Sequence, residues 1–132
     1  MQARLNAFQA APDLMKAVLA LSEASKASGI ETAIKELVKI RASQINGCAF
    51  CLAMHTHEAR AMGESDERMH LLSAWREAPA FSARERAALA WTESLTHISE
   101  THAPDDVYEE VRKHFCPVGD YGPYFDVYRR CR

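Results

Sequence analysis

The chain has 132 residues, with 16 lysines and arginines against 18 aspartates and glutamates, so its formal net charge is −2. This length predicts one domain. The balanced charge argues against a nucleic-acid-binding protein, which usually carries a strong basic excess. Hydrophobic residues make up 48% of the chain, which excludes a disordered protein. No stretch approaches the roughly 18 apolar residues of a membrane-spanning helix, and the first residues lack the apolar core of a signal peptide. We therefore expect a cytoplasmic protein whose thiols are mostly reduced.

Apolar residues recur at helical spacing through most of the chain, which predicts an all-α fold of about six helices. Turn and capping residues separate these helices. The fifth has the clearest start, because Ser82 and Glu85 have the spacing of a capping box. The helices are expected at about 12–29, 30–46, 48–62, 66–75, 82–98 and 104–115.

The chain is expected to divide into a helical domain at residues 1–115 and a tail at residues 116–132. The tail holds two prolines and two glycines among four aromatic residues. This composition is incompatible with a long regular helix. Cys116 and Cys131 lie in the tail and have no spacing that indicates a site, so we expect them to be incidental.

A Cys-x-x-Cys pair, Cys48 and Cys51, follows the Asn46-Gly47 turn. In a cytoplasmic chain such a pair is more typical of a reactive or metal-binding site than of a structural disulfide. Cys48 is expected in the first turn of the third helix, where free N–H groups and the positive end of the helix dipole favour a thiolate. His55 follows Cys51 by four residues, so all three side chains share one helix face.

His55 is the neighbour of Cys51 and can accept its proton, because helical side chains lean toward the N-terminus. If the second and third helices form an antiparallel hairpin, Glu36 lies level with residues 55–57 and can orient His55. The helix dipole favours Cys48 as the attacking thiol, whereas the histidine favours Cys51. We favour Cys51, with Cys48 as the resolving thiol, because a positioned base activates more directly than a partial charge.

Two neighbouring thiols, one of them activated, are typical of peroxide reduction. A sulfenic acid formed on one cysteine is captured by the other, and an external thiol can reduce the resulting disulfide. The expected partners are therefore a hydroperoxide substrate and a thiol or dithiol reductant. This chemistry needs neither a metal nor an organic cofactor.

Glu36, Cys48, Cys51 and His55 form the pattern E-x11-C-x2-C-x3-H. This pattern resembles the core of the AhpD-like alkylhydroperoxidases within the carboxymuconolactone decarboxylase family, and the likeness covers most of the helical domain. The resemblance implies an AhpD-like helical fold that assembles through helix packing into homo-oligomers, either trimers or hexamers. It also implies peroxiredoxin-type activity, with the second cysteine as the peroxidatic one and with the glutamate and final histidine in a proton relay.

The chain departs from the best-described AhpD proteins at two places. Phe50 stands where they carry a histidine between the cysteines, and the tail replaces a long apolar helix. One alternative is an acid–base enzyme like the lactone decarboxylases of the family, which use histidine and carboxylate groups rather than a cysteine pair. Another is a redox-sensing or non-catalytic metal-binding module. In the metal-binding alternative, the zinc ligands would be Cys48, Cys51, His55 and His57. All four would lie on one helix, which makes it hard for them to surround an ion.

Overall fold

The structure, a computed structural model, describes residues 5–115. This part of the chain contains helices and no strand, which confirms the predicted all-α fold. None of its helices combines the length and the apolar character needed to cross a bilayer. The tail at residues 116–132, with its two cysteines, lies outside the described residues, so the domain boundary stays a prediction. The described residues fall into two units, residues 5–30 and residues 31–115.

The first unit contains α1 (Ala7–Ala10) and α2 (Pro12–Lys26). The sequence analysis missed α1, a single turn whose N-cap is Asn6. Pro12 occupies the first position of α2, where its missing N–H costs no hydrogen bond. Neither helix contains a buried residue. The apolar side chains of α2 are therefore largely exposed, among them Leu14, Val18, Leu19 and Leu21.

The second unit contains the remaining helices. They are α3 (Thr32–Asn46), α4 (Ala49–Ala61), α5 (Asp66–Leu71), a 3₁₀ turn (Leu72–Ala74), α6 (Ala83–Thr96), α7 (Ile98–Thr101) and α8 (Asp105–Phe115). The predicted fourth helix thus ends in the 3₁₀ turn. The predicted fifth helix is interrupted at His97. Near this break the hydroxyl of Thr101 donates to the carbonyl of Ser94, so a carbonyl group in the last turn of α6 is satisfied from outside the helix.

Packing in the second unit is organised around α3 and α6. α3 packs against α4 and α6, and α6 packs against α8. The capping box predicted at Ser82 and Glu85 is present, with both reciprocal hydrogen bonds formed. The core between these helices consists mainly of apolar side chains; it includes Leu37, Ile40, Ala59, Met69, Leu72, Trp75, Phe81 and Leu89.

Glu93 on α6 is a largely buried carboxylate that contacts three side chains from other parts of the second unit. It accepts hydrogen bonds from Arg41 at 2.7 Å and from the indole N–H of Trp75 at 2.8 Å, and it also contacts Arg76. Burial by itself raises the pKa of Glu93, but the three donors outweigh burial and hold the pKa below its ordinary value. The folded protein therefore favours the ionised form of the Glu93 carboxylate.

Candidate active site

The turn between α3 and α4 sets the position of the cysteine pair. Gly47 ends α3 in the left-handed conformation, at φ 63°, which glycine adopts without strain. Cys48 follows as the N-cap of α4, and its sulfur accepts a hydrogen bond from the backbone N–H of Cys51 at 3.3 Å. The prediction that Cys48 lies within the first helical turn is therefore wrong by one residue, because the left-handed glycine leaves Cys48 extended.

Cys48 and Cys51 are joined by a disulfide, with their Cα atoms 5.4 Å apart. Both residues are partly buried, so the disulfide is neither sealed in the core nor fully exposed. Phe50, between them in sequence, is 76% exposed. Thiol–disulfide exchange requires access to a sulfur atom, and neither cysteine residue is fully buried.

His55 is linked to a buried carboxylate on the neighbouring helix. Its Nδ1 lies 3.0 Å from Oε2 of Glu36, which agrees with the hairpin argument that places Glu36 level with residues 55–57. Glu36 is only 4% exposed. Lys39 donates to the other oxygen, Oε1, at 2.7 Å. Each oxygen of the buried carboxylate thus has a donor, as a buried charge requires.

Glu58 adds a second carboxylate that the sequence analysis missed. Its Oε2 lies 3.1 Å from the same Nδ1 of His55. The available signal was its position three residues after His55 on one helix. Because ionised carboxylates only accept hydrogen bonds, both contacts fit the neutral tautomer of His55 that carries its hydrogen on Nδ1 and keeps the lone pair on Nε2.

The same three residues could hold a metal ion. Ligand atoms of Glu36, His55 and Glu58 lie within 4.8 Å of one another, and such oxygen and nitrogen donors suit divalent cations. This set differs from the zinc ligands considered from the sequence. The cysteine sulfurs are bonded to each other, and His57 is exposed on α4.

A cavity of about 290 Å³ reaches Glu36 from the side of α5, and neither cysteine is among its lining residues. Arg68 lines this cavity, but its guanidinium already donates to Glu64 at 2.8 Å, to Glu85 at 2.6 Å and to the carbonyl of Ala80. Burial lowers the pKa of Arg68, yet the two carboxylates outweigh burial and raise it. The guanidinium of Arg68 is therefore held by groups of this chain.

Comparisons with known proteins match the chain to one family model and to related proteins. The model of the Carboxymuconolactone decarboxylase family matches residues 12–94. The uncharacterized protein YdfG of Bacillus subtilis (strain 168) is 43% identical over 115 residues, which cover 87% of this chain and 78% of that protein. The uncharacterized protein YnjA of Escherichia coli (strain K12) is 26% identical over 90 residues, which cover 68% of this chain and 49% of that protein.

A solved structure has the same fold. It is the crystal structure of a protein of unknown function from Agrobacterium tumefaciens, which has been suggested to be the antioxidant defence protein AhpD. The two structures superpose with a TM-score of 0.82 at 46% sequence identity, and the match covers 86% of this chain and 78% of that one. The AhpD-like fold expected from the sequence is confirmed.

Proposed function

The chain belongs to the carboxymuconolactone decarboxylase family, and from this premise we propose that it reduces hydroperoxides through Cys48 and Cys51. One observation carries the proposal. The bridged cysteine pair starts α4, and the histidine one turn after Cys51 is held by the buried carboxylate of Glu36. A thiol nucleophile is activated by a neighbouring base, and a third group orients that base.

In the first step the Cys51 thiol gives its proton to Nε2 of His55. The resulting thiolate attacks the terminal oxygen of the hydroperoxide, and the O–O bond breaks as the S–O bond forms. The alkoxide that leaves takes the proton back from the imidazolium and departs as an alcohol. Glu36 stabilises the imidazolium while it exists, because its carboxylate accepts from Nδ1.

In the second step the Cys48 thiol attacks the sulfenic acid on Cys51. The S–S bond forms, and the hydroxyl group leaves with the Cys48 proton as water. Two equivalents of an external thiol, or one dithiol, then restore both cysteines and become a disulfide themselves. The cycle transfers two electrons from the external thiol to the peroxide, and both cysteines, the histidine and the glutamate that take part belong to this chain.

We also propose that the protein acts as a homo-oligomer of three or six copies in the cytoplasm, where thiol reductants are abundant. The exposed apolar side chains of α2 support assembly, because soluble proteins rarely leave a large apolar face uncovered. Sedimentation of the full-length protein tests this: a species with the mass of one chain at micromolar concentration would contradict it.

The catalytic proposal is tested by single cysteine variants supplied with cumene hydroperoxide and dithiothreitol. We expect Cys51→Ser to abolish turnover. Reduced Cys48→Ser protein that has been freed of dithiothreitol should consume one equivalent of peroxide and accumulate a sulfenic acid on Cys51, which dimedone traps for mass spectrometry. Cys116→Ser serves as the matched control and should retain turnover.

Steady-state peroxide reduction by both Cys51→Ser and Cys48→Ser would refute the mechanism. The acid–base alternative does not use the cysteines, so it predicts an activity that remains when both cysteines are replaced. Decarboxylation of a carboxymuconolactone that survives alkylation of every thiol would favour that alternative.

A further inference from the structure

Three side chains on two helices bring one donor atom each to the same place. Oε2 of Glu36 on α3 lies 3.0 Å from Nδ1 of His55 on α4, and Oε2 of Glu58, also on α4, lies 3.1 Å from the same nitrogen. All three donor atoms lie within 4.8 Å of one another. The mechanism proposed above uses only one of the two carboxylates, so this Glu–His–Glu cluster contains a donor that thiol chemistry does not need.

The distances within the Glu–His–Glu cluster suit a small divalent metal ion. Zinc holds imidazole nitrogen and carboxylate oxygen ligands at about 2.0–2.2 Å. Two ligands at right angles on such an ion are therefore about 3 Å apart, which is the separation of Nδ1 from each carboxylate oxygen. The side chain of Glu58 is 47% exposed, so it can adjust the distance between the two oxygens.

Burial and a further contact fix the other two donors of the cluster. The side chain of Glu36 is 5% exposed and that of His55 is 15% exposed. Lys39 donates to Oε1 of Glu36 at 2.7 Å, which leaves Oε2 for His55. Outer contacts of this kind orient the ligands of bound metals. The cluster therefore differs from an acidic surface patch, because one carboxylate is buried and the third donor is an imidazole nitrogen.

The charge of the cluster favours a cation, and its donor atoms favour a transition metal. The two carboxylates and Lys39 together carry one net negative charge beside a neutral imidazole. A metal ion takes the place of the hydrogen that both carboxylates share at Nδ1, and the neutral ring then carries its hydrogen on Nε2. Imidazole suits zinc and its neighbours in the first transition row, whereas Mg²⁺ and Ca²⁺ prefer oxygen ligands.

We propose that Glu36, His55 and Glu58 form a binding site for one divalent transition-metal ion, with water in the remaining coordination positions. The site binds Zn²⁺ more tightly than Mn²⁺, in the general order of these ions, and binds Mg²⁺ least. The ion uses the nitrogen that Glu36 contacts in the proposed peroxidase mechanism. Metal binding and peroxide reduction are therefore alternative states of one site.

The test measures binding of Zn²⁺ alone to the untagged full-length protein by equilibrium dialysis. The Cys48–Cys51 disulfide is kept oxidised and the remaining thiols are alkylated, so that no cysteine can act as a ligand. We expect one Zn²⁺ per chain at micromolar free zinc. His55→Ala should abolish this binding, and Glu58→Gln should weaken it at least about 10-fold. Dialysis against Mn²⁺ and Mg²⁺ should give the proposed order of affinity.

His57→Ala is the matched control, because His57 is an exposed histidine on the same helix. It should bind Zn²⁺ like the wild type, and circular dichroism checks that every variant is folded. Glu58 is half exposed, so Glu58→Gln tests the site even if His55→Ala does not fold.

A wild-type protein that binds no stoichiometric Zn²⁺ would overturn the proposal. So would binding that survives unchanged in folded His55→Ala or Glu58→Gln protein, or binding that His57→Ala removes, which would identify adventitious binding at the surface. The assay contains neither peroxide nor a reactive thiol, so its outcome is separate from the success or failure of the proposed peroxidase function.

Discussion

Replacing Glu36 with glutamine removes the buried charge behind His55 and keeps the size of the side chain. The native Oε2 lies 3.0 Å from Nδ1 of His55, and Oε1 lies 2.7 Å from Nζ of Lys39. A hydrogen bond to a charged group contributes about 1.5–3 kcal/mol, and burial leaves little solvent to screen it. Loss of this stabilisation from the imidazolium should slow oxidation of Cys51 by peroxide about 10- to 150-fold.

The assay mixes reduced protein with excess cumene hydroperoxide at pH 7 and quantifies the Cys48–Cys51 disulfide over time by mass spectrometry. Glu93→Gln is the matched control, because it neutralises another largely buried carboxylate that lies in a structural network. It should lower the free energy of unfolding without slowing oxidation. A folded Glu36→Gln protein whose rate stays within about twofold of wild type, below the loss expected for even one such hydrogen bond, would refute the role of the carboxylate.

Two further predictions concern the stability of the fold. Glu93→Gln should reduce the sensitivity of the fold to acid: the lowered pKa of Glu93 contributes stability above the ordinary glutamate pKa of about 4.3, and this contribution is lost as the pH falls through the lowered pKa. Urea unfolding over a pH series measures this effect, and a variant that loses as much stability in acid as the wild type would contradict it. Gly47→Ala should cost about 1 kcal/mol, because φ is +63° and an added Cβ meets no atom within 4 Å, so only backbone strain remains. Thermal denaturation should show a fall in Tm of about 4 °C, and an unchanged Tm would exclude the strain.

Local rules account for the parts of the site that could be predicted from the sequence. The helical period and the turn at Gly47 fix the register of the α3–α4 hairpin, and this register brings Glu36 level with His55. The same rules missed Glu58, because spacing alone does not show which nitrogen of a histidine two carboxylates will share. They also misplaced Cys48 by one residue, since a cap depends on the backbone angles of the turn before it.

The rest of the fold depends on contacts between distant residues. Glu93 meets Arg41 across 52 positions and Trp75 across 18, and no periodic pattern encodes such a pairing. The break at His97 likewise depends on which partner the end of α6 finds. The single turn of α1 is too short to show an apolar period, so only its cap at Asn6 could have indicated it.

Cys48 has two structural roles: its sulfur caps the N-terminus of α4, and it forms the disulfide with Cys51. Its Cα lies 5.4 Å from that of Cys51, close to the ~5 Å spacing of residues one turn apart. Reduction of the disulfide therefore requires only a small rotation of the two cysteine side chains, and the backbone can stay in place. If the proposed function holds, such a pair can be oxidised and reduced many times while the surrounding fold stays the same, which suits an enzyme that removes peroxide better than a redox sensor that changes shape on oxidation.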